Sequence, residues 1–309
     1  MSFTEIYQTW LREKQQQVRP TTLAAYTYIA DHHLLPHFGK MEVVTTRYLQ
    51  QYVNTMHAQG MSRNSLNNIL SVMRMVLRFG EEQGWCSVPE GKLRLPPNTT
   101  TGKLQVMSVR EEGKFVRFLL GKDSPLDVAL LTGMTTGMRL GELCGLQAGD
   151  LLLERQLCQV NRTVSVTYDR EARRTYLSVN LPKTPNSIRD IPLHPVVVQC
   201  IKTLLQAADY RPDAYLFTAS RQPLHPNHLR KHFRQTLRNL QLPPLHFHAL
   251  RHTFATRCIE SGCDVKTLSA ILGHSSVQTT LNLYVHPSMQ QKQQALLNMM
   301  QLVMGQEKL

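Results

Sequence analysis

Arg139 stands in TTGMRLGELCGL (Thr135–Leu146), with Glu142 three residues on. An Arg–Glu pair at that spacing is ordinarily a surface ion pair contributing about 0.2–0.5 kcal/mol. Here Gly137 and Gly141 let a backbone approach closely, and Leu140, Leu143 and Leu146 bury the neighbouring face. An arginine pinned beside a core suits a fixed anion better than a free surface arginine does. In HFHALRHTFATRC (His246–Cys258), His248, Arg251, His252 and Ala255 share one helical face. An imidazole and a guanidinium one turn apart can hold a phosphate between them. Metal binding by His248 and His252 at i, i+4 is the rival. It is the weaker reading, because there is no HExxH and Arg251 would set a cation against the ion. ILGHSSVQTTLNLYVH (Ile271–His286) puts His274 in a turn after Gly273, with Tyr284 ten residues later beyond a short polar helix. One tyrosine among ten is ordinarily core or surface, and only its company singles it out. In NLPKTPNSIRDIPL (Asn180–Leu193), Lys183 falls in the turn between two strand-like runs. A turn lysine is ordinarily just solvated.

The elements that must position these groups fall into two parts. Phe3, Ile6, Tyr7, Trp10 and Leu11 follow helical periodicity, and a second helix is predicted from Thr21 or Thr22 to Leu35, punctuated by Pro36 and Gly39. A third runs from about Thr46 to Gly60. Ser62 caps a fourth with Leu66, Ile69, Leu70, Met73 and Leu77 inward, ending near Gly84. The stretch Pro89–Lys103, rich in Pro, Gly and Thr, reads as an extended linker. The expected division is therefore a helical domain over 1–88, a linker over 89–103 and a second domain over 104–309. In the second, helices are expected at Val109–Leu120, Pro125–Gly133 and Arg139–Leu146. Strands follow at Cys158–Val166, Thr175–Leu181 and Ile188–Leu193. Six further helices are expected: His194–Ala208, Asn227–Leu240, Phe247–Ser261, Val265–Leu272, Ser276–Leu283 and Ser288–Met304.

The 309 residues carry 35 Lys+Arg against 22 Asp+Glu, a formal net charge of +13. That balance favours a polyanionic partner. Residues 1–95 hold ten Lys+Arg and seven Asp+Glu, a net of +3, so +10 lies from residue 96, within the linker, onward. Phosphate contacts would concentrate there, with Lys92, Arg94 and Lys103 of the linker and Arg189 as candidate DNA contacts. An apolar content of 42% is ample for buried cores. No apolar run approaches the roughly 18 residues of a membrane helix, and the polar start MSFTEIYQTWLREK lacks a signal-peptide core, so a cytoplasmic protein is expected. The six cysteines form no CxxC, which argues against a disulfide framework or structural zinc.

The set Arg139, Lys183, His248-x-x-Arg251, His274 and Tyr284 resembles the tyrosine recombinase (phage integrase) family in chain order and approximate spacing. TGMRLGEL, HxLRHTFAT and LGHSSVQTTLNLY carry the resemblance together, and it covers nearly the whole chain. PKTPNSIRDIPL resembles the hairpin of phage and conjugative-transposon integrases more than that of Xer recombinases. The core-binding helices start almost at Met1, which suggests an Xer-like plan without an arm-binding domain.

The resemblance implies a mainly α fold with a small β-hairpin sheet: a SAM-like four-helix core-binding domain, then an α+β catalytic domain with a C-terminal oligomerisation helix. It implies that Tyr284 attacks a DNA phosphodiester to form a 3′-phosphotyrosine and release a 5′-hydroxyl, without ATP, metal or other cofactor. Arg139 and Arg251 would bind the non-bridging oxygens, and His274 would add a hydrogen bond. His248 would accept or relay the tyrosine proton. Lys183, on a hairpin tip entering a DNA groove, would protonate the leaving oxygen. Glu142 would orient its neighbours, and His252 would pack or support. The partners implied are double-stranded DNA bearing a specific site, gripped in a C-shaped clamp, and three further copies in a tetramer exchanging strands through a Holliday junction. DNA-bending accessory factors are possible partners, at the nucleoid. Met289, Ala295, Leu296, Met299, Met300 and Val303 form an apolar stripe that would dock onto the next protomer or pack on its own domain. Integration and excision of a mobile element is the leading role. Resolution of dimers, or DNA binding without cleavage, are the alternatives.

Overall fold

The computed structural model describes residues 1–97, 104–182, 185–284 and 289–304. These form two compact units, Met1–Lys103 with Ser165–Ser178, and Leu104–Val164 with Val179–Leu309.

The first unit opens with α1 (Phe3–Gln17), started by a capping box in which Ser2 and Glu5 satisfy each other's backbone N–H groups. Next comes α2 (Pro20–Ile29), with proline in its first turn where a missing N–H costs nothing. One π turn, Ala30–Leu34, joins it to the short α3 (Leu35–Phe38). The chain thus stays helical through Pro36, beyond the expected stop at Leu35, because proline is tolerated in the first turn of the new helix. α4 (Thr46–Ala58) and α5 (Arg63–Glu82) are capped by Thr45 and Ser62. Their apolar stripes close over Phe3, Ile6, Tyr7, Trp10 and Leu34 in one core. After α5 the chain is extended but not free. Leu93 and Leu95 pack on this core, Gln50 exchanges two hydrogen bonds with the Arg94 backbone, and Arg63 donates to the Pro96 carbonyl. Lys92 and Arg94 alternate outward and are exposed. Lys103 lies outside the described residues.

In the second unit, α6 (Val109–Leu120) starts at a Ser108–Glu111 capping box. α7 (Pro125–Thr136) is buried nearly all round and packs against α6 and four later helices. It ends at Gly137, whose φ of +64° is the left-handed cap that glycine adopts without strain. The short α8 (Leu140–Cys144) follows. Five strands come next: β1 (Leu151–Leu152), β2 (Leu157–Val160), β3 (Thr163–Asp169), β4 (Arg174–Asn180) and β5 (Arg189–Pro192). The helices α9 (Pro195–Gln206), α10 (Pro226–Asn239), α11 (His248–Glu260), α12 (Val265–Leu272), α13 (Val277–Tyr284) and α14 (Met289–Met304) complete the chain.

The strands depart from the expected pattern. The single run expected over Cys158–Val166 is broken at Asn161–Arg162, where both side chains turn to the buried Asp150 carboxylate. β2 then pairs antiparallel with β1 and β5, and β3 pairs with β4. The runs on either side of Lys183 therefore belong to different sheets and form no hairpin with each other. Lys183 itself lies outside the described residues. Pro182 and Ser187, which flank it in sequence, line the cleft described below. Most of the β3–β4 ribbon also groups with the first unit rather than with residues 104–309. Arg170 pairs with Asp31 at 3.2 Å, and the Tyr168 ring meets Tyr28 edge-on.

Candidate active site

Glu142 lies at the centre of the site. Its carboxylate is 4% exposed and accepts the Arg139 backbone N–H (2.9 Å) and the Arg139 guanidinium (2.8 Å). On its other side Arg189 reaches both carboxylate oxygens, at 3.2 and 2.9 Å. Burial pushes the Glu142 carboxyl upward, but the Arg189 hydrogen bonds and the charges of Arg189 and Arg139 outweigh it and hold it below the usual carboxylate range. Arg139 caps α8 with an extended backbone, and its Nη2 also donates to the Gly273 carbonyl at 3.0 Å.

Two of the glycines are required by close approach. A Cβ on Gly141 would lie 2.5 Å from the Val164 carbonyl oxygen, and one on Gly137 would lie 2.5 Å from the Phe254 ring. The Gly137 carbonyl is thereby left for Arg251 on α11, which donates to it and to the Leu272 carbonyl, both at 2.8 Å. Arg251 is 2% exposed and touches no carboxylate among the described residues. Burial, together with the Arg139 charge, lowers its pKa to about 9. It remains cationic at neutral pH. Arg139 and Arg189 thus share one carboxylate while Arg251 has none, leaving two uncompensated positive charges in the group, and a bound anion would relieve both burial and repulsion.

The histidines and Tyr284 gather at the same place. Tyr284 ends α13, is 7% exposed, and has its phenol raised above the ordinary value by burial despite the Arg251 and Arg139 charges. Its hydroxyl lies 2.8 Å from His252 Nδ1. His274 turns its own Nδ1 to the buried Thr280 hydroxyl at 2.7 Å, with its ring parallel to the Tyr284 ring at a centroid distance of 6.5 Å. Burial, with Arg251 next, pushes His274 down to about 4, and burial, with His248 next, does the same to His252. Both are neutral at neutral pH. His248 opens the first turn of α11, is exposed, and meets His252 edge to face at 4.5 Å. Desolvation among its neighbours and the Arg251 charge lower its pKa as well. A cleft of about 270 Å³ is lined by Arg139, Glu142, Thr163, Pro182, Ser187 and Gly273.

Residues 122–291 match the Phage integrase family, and residues 2–57 match the phage integrase N-terminal SAM-like domain. The chain belongs to the phage integrase family. It is similar to the "Tyrosine recombinase XerC-like" protein of Caldanaerobacter subterraneus subsp. tengcongensis, 28% identical over 319 residues, covering 94% of this chain and 81% of the relative. It is 25% identical to the ICEBs1 integrase of Bacillus subtilis over 301 residues, 93% of this chain and 79% of that one. Its fold is similar to that of the Tn1549 transposon integrase in complex with a circular intermediate DNA, with a TM-score of 0.77 at 20% identity over 97% of this chain and 99% of that one. The expected mainly α architecture with small sheets is thus that of a tyrosine recombinase, a DNA strand-exchange enzyme.

Within this integrase, the structure brings together Arg139, His248, Arg251, His274 and Tyr284, with Glu142 beneath them. It treats two of the sequence-derived roles differently. Arg189, expected as a DNA contact, has a side chain only 7% exposed and donates to Glu142, Ile271 and Ser187. A guanidinium with its donors bonded inside has little left for a phosphate. His252, expected to pack or support, is the group on the Tyr284 hydroxyl, a place expected for His248. The helix expected at Asn227–Leu240 is present as α10, but its basic face was not singled out. Its exposed Arg230, Lys231, Arg234 and Arg238 are accompanied by no acidic residue in PNHLRKHFRQTLRN. That basic, amphipathic stretch was legible in the sequence. Among the described residues no group of three or more His, Cys, Asp and Glu side chains is arranged to hold a metal ion. No described helix is long and apolar enough to cross a membrane.

Proposed function

We propose that this integrase cuts and rejoins double-stranded DNA at a specific site through a 3′-phosphotyrosine at Tyr284, and that it integrates and excises a mobile element. The observation that carries the reading is the buried Tyr284 hydroxyl beside a guanidinium cluster with two surplus positive charges. A phosphodiester carries one negative charge, and its five-coordinate transition state carries two. The surplus therefore matches the transition state better than the ground state, which is the condition for catalysis. Arg139 and Arg251 contact the non-bridging oxygens, each with N–H donors beyond those bonded internally. His274 donates from Nε2, in the tautomer whose Nδ1 accepts from the Thr280 hydroxyl. Lys183 protonates the leaving 5′-oxygen. Glu142 and Arg189 hold Arg139 in place. The ester conserves bond energy, so no ATP is needed, and Arg139 and Arg251 supply the positive charge that a metal ion would otherwise bring.

The exposed cations of α10, with Lys92, Arg94 and Lys103, supply phosphate contacts outside the reacting centre. Four protomers act on two duplexes, linked by the exposed apolar residues of α14, with DNA-bending factors assisting and the cytoplasmic nucleoid as the place of action. The mobile-element role is supported by the similarity to the ICEBs1 integrase. Dimer resolution is the second reading, favoured by relatives named tyrosine recombinase XerC, such as that of Pseudomonas fluorescens at 27% identity over 88% of this chain.

The test uses a duplex site recovered from a randomised library by binding to the full-length protein, nicked near the scissile phosphate so that cleavage is trapped. The wild-type protein forms a covalent adduct that survives EDTA, and Tyr284→Phe binds the duplex but forms none. A strict metal requirement, or a wild-type protein that binds and never cleaves, overturns the reading.

A further inference from the structure

Nucleophilic attack requires Tyr284 to lose its proton, and burial raises its pKa, so a phenolate does not form unaided at neutral pH. The neighbours that could take the proton differ sharply in geometry. His274 has its Nδ1 bonded to Thr280, and its ring lies parallel to the phenol ring rather than at the hydroxyl. His248 makes no hydrogen bond to Tyr284 among the described residues, and its ring meets His252 instead. His252 Nδ1 alone of these is at hydrogen-bond distance, 2.8 Å from Oη.

Resting on Tyr284 as the nucleophile, we propose that His252 is a catalytic residue: its Nδ1 takes the phenolic proton as the tyrosine attacks. In the forward step the Oη–P bond forms, the proton moves from Oη to Nδ1, and the P–O5′ bond breaks. The electron pair leaves on the 5′-oxygen, which is protonated by the separate donor assigned to Lys183. In rejoining, the 5′-hydroxyl returns its proton to the donor assigned to Lys183 as its oxygen attacks phosphorus, the P–Oη bond breaks, and the departing phenolate oxygen recovers its proton from the His252 imidazolium. The surroundings fit an acceptor. Burial, His248 and Arg251 keep the imidazole neutral, so in the tautomer protonated at Nε2 the Nδ1 lone pair faces the Tyr284 hydroxyl before DNA arrives. A phosphate anion seated on Arg251 offsets that guanidinium and raises the basicity of His252 when the base is needed. His248, edge-on behind the ring, is part of this environment rather than the first acceptor.

The experiment measures single-turnover adduct formation on the library-selected duplex, carrying sulfur in place of the bridging 5′-oxygen. Departure of a thiolate needs no proton, so the rate reports the attacking half of the reaction. His252→Ala is expected to be slowed about 10²–10⁴-fold with DNA affinity retained, and to recover with the free-base concentration of added imidazole. His252→Asn keeps an acceptor oxygen near the Nδ1 position but cannot take up a proton at neutral pH, and it is expected to be slow as well. An Asn variant at the wild-type rate, or an Ala variant indifferent to imidazole, overturns the proposal. Adduct formed by Tyr284→Phe would instead remove the nucleophile on which it rests, so the two failures are distinguishable.

Discussion

Arg189 and Glu142 meet through two guanidinium nitrogens and both carboxylate oxygens, with side chains 7% and 3% exposed. They lie 47 residues apart in the chain and link β5 to the start of α8. Because Glu142 also fixes Arg139, this pair transmits its geometry to the anion site. Removing one partner of a buried pair costs about 3–5 kcal/mol, since the other charge is left uncompensated. Glu142→Gln should therefore lower the thermal unfolding temperature at neutral pH. The Glu142 pKa is depressed in the folded state, so its contribution is present above the unfolded value of about 4.3 and is lost as pH falls through the folded value. The gap between wild type and Glu142→Gln should narrow in melts taken below about pH 4. A gap that stays constant from pH 7 to 3 would mean that the carboxylate charge is not what the site depends on.

Arg139 and Arg251 act on charge that grows during the reaction. Loss of one preorganised donor of this kind costs about 2.7–4 kcal/mol of transition-state stabilisation. Arg139→Ala and Arg251→Ala should each cleave about 10²–10³-fold more slowly in a single turnover, while duplex affinity changes by less than about tenfold. If both lose affinity and keep the wild-type cleavage rate, they are phosphate anchors only.

The helical part of the fold was legible because it rests on local rules. Ser62 caps α5, and Leu66, Ile69, Leu70, Met73 and Leu77 are all buried as their spacing requires. The strand region was less legible, because the break at Asn161–Arg162 is imposed by Asp150, a tertiary partner that no period-2 pattern reveals. The catalytic candidates could be identified by type and order, but their partners could not. Arg189 reads as a free cation until Glu142 is placed beside it. Assigning the Tyr284 hydroxyl to His252 rather than His248 depends on how α11 and α13 meet, a relation that neither helix encodes alone.

For Lys183, the prediction separates leaving-group protonation from charge stabilisation. An alkoxide is a poor leaving group at neutral pH, whereas a thiolate leaves without a proton. Lys183→Ala should be slow on ordinary DNA and recover much of its cleavage on DNA with a bridging 5′-sulfur. Arg139→Ala should recover much less. Equal recovery of both variants, or none for Lys183→Ala, would move the general-acid role to another residue.

Helix α14 exposes Met289, Leu296, Leu297, Met299, Met300 and Val303, at 47–72% of their surface. An apolar face of this kind is suited to a partner. Deleting residues 287–309 should abolish multi-protomer complexes on DNA in sedimentation while leaving one protomer bound per half-site. Unchanged complexes would show that the tail packs on its own protomer.

The central claim is that Tyr284 becomes linked to DNA. The most direct measurement digests the trapped adduct with protease and nuclease and identifies the modified peptide by mass spectrometry. The account predicts a single linkage, a 3′-phosphate joined to Tyr284 within LNLYVH, with a free 5′-hydroxyl on the released strand. A linkage at any other residue, or through a 5′-phosphate, would contradict it.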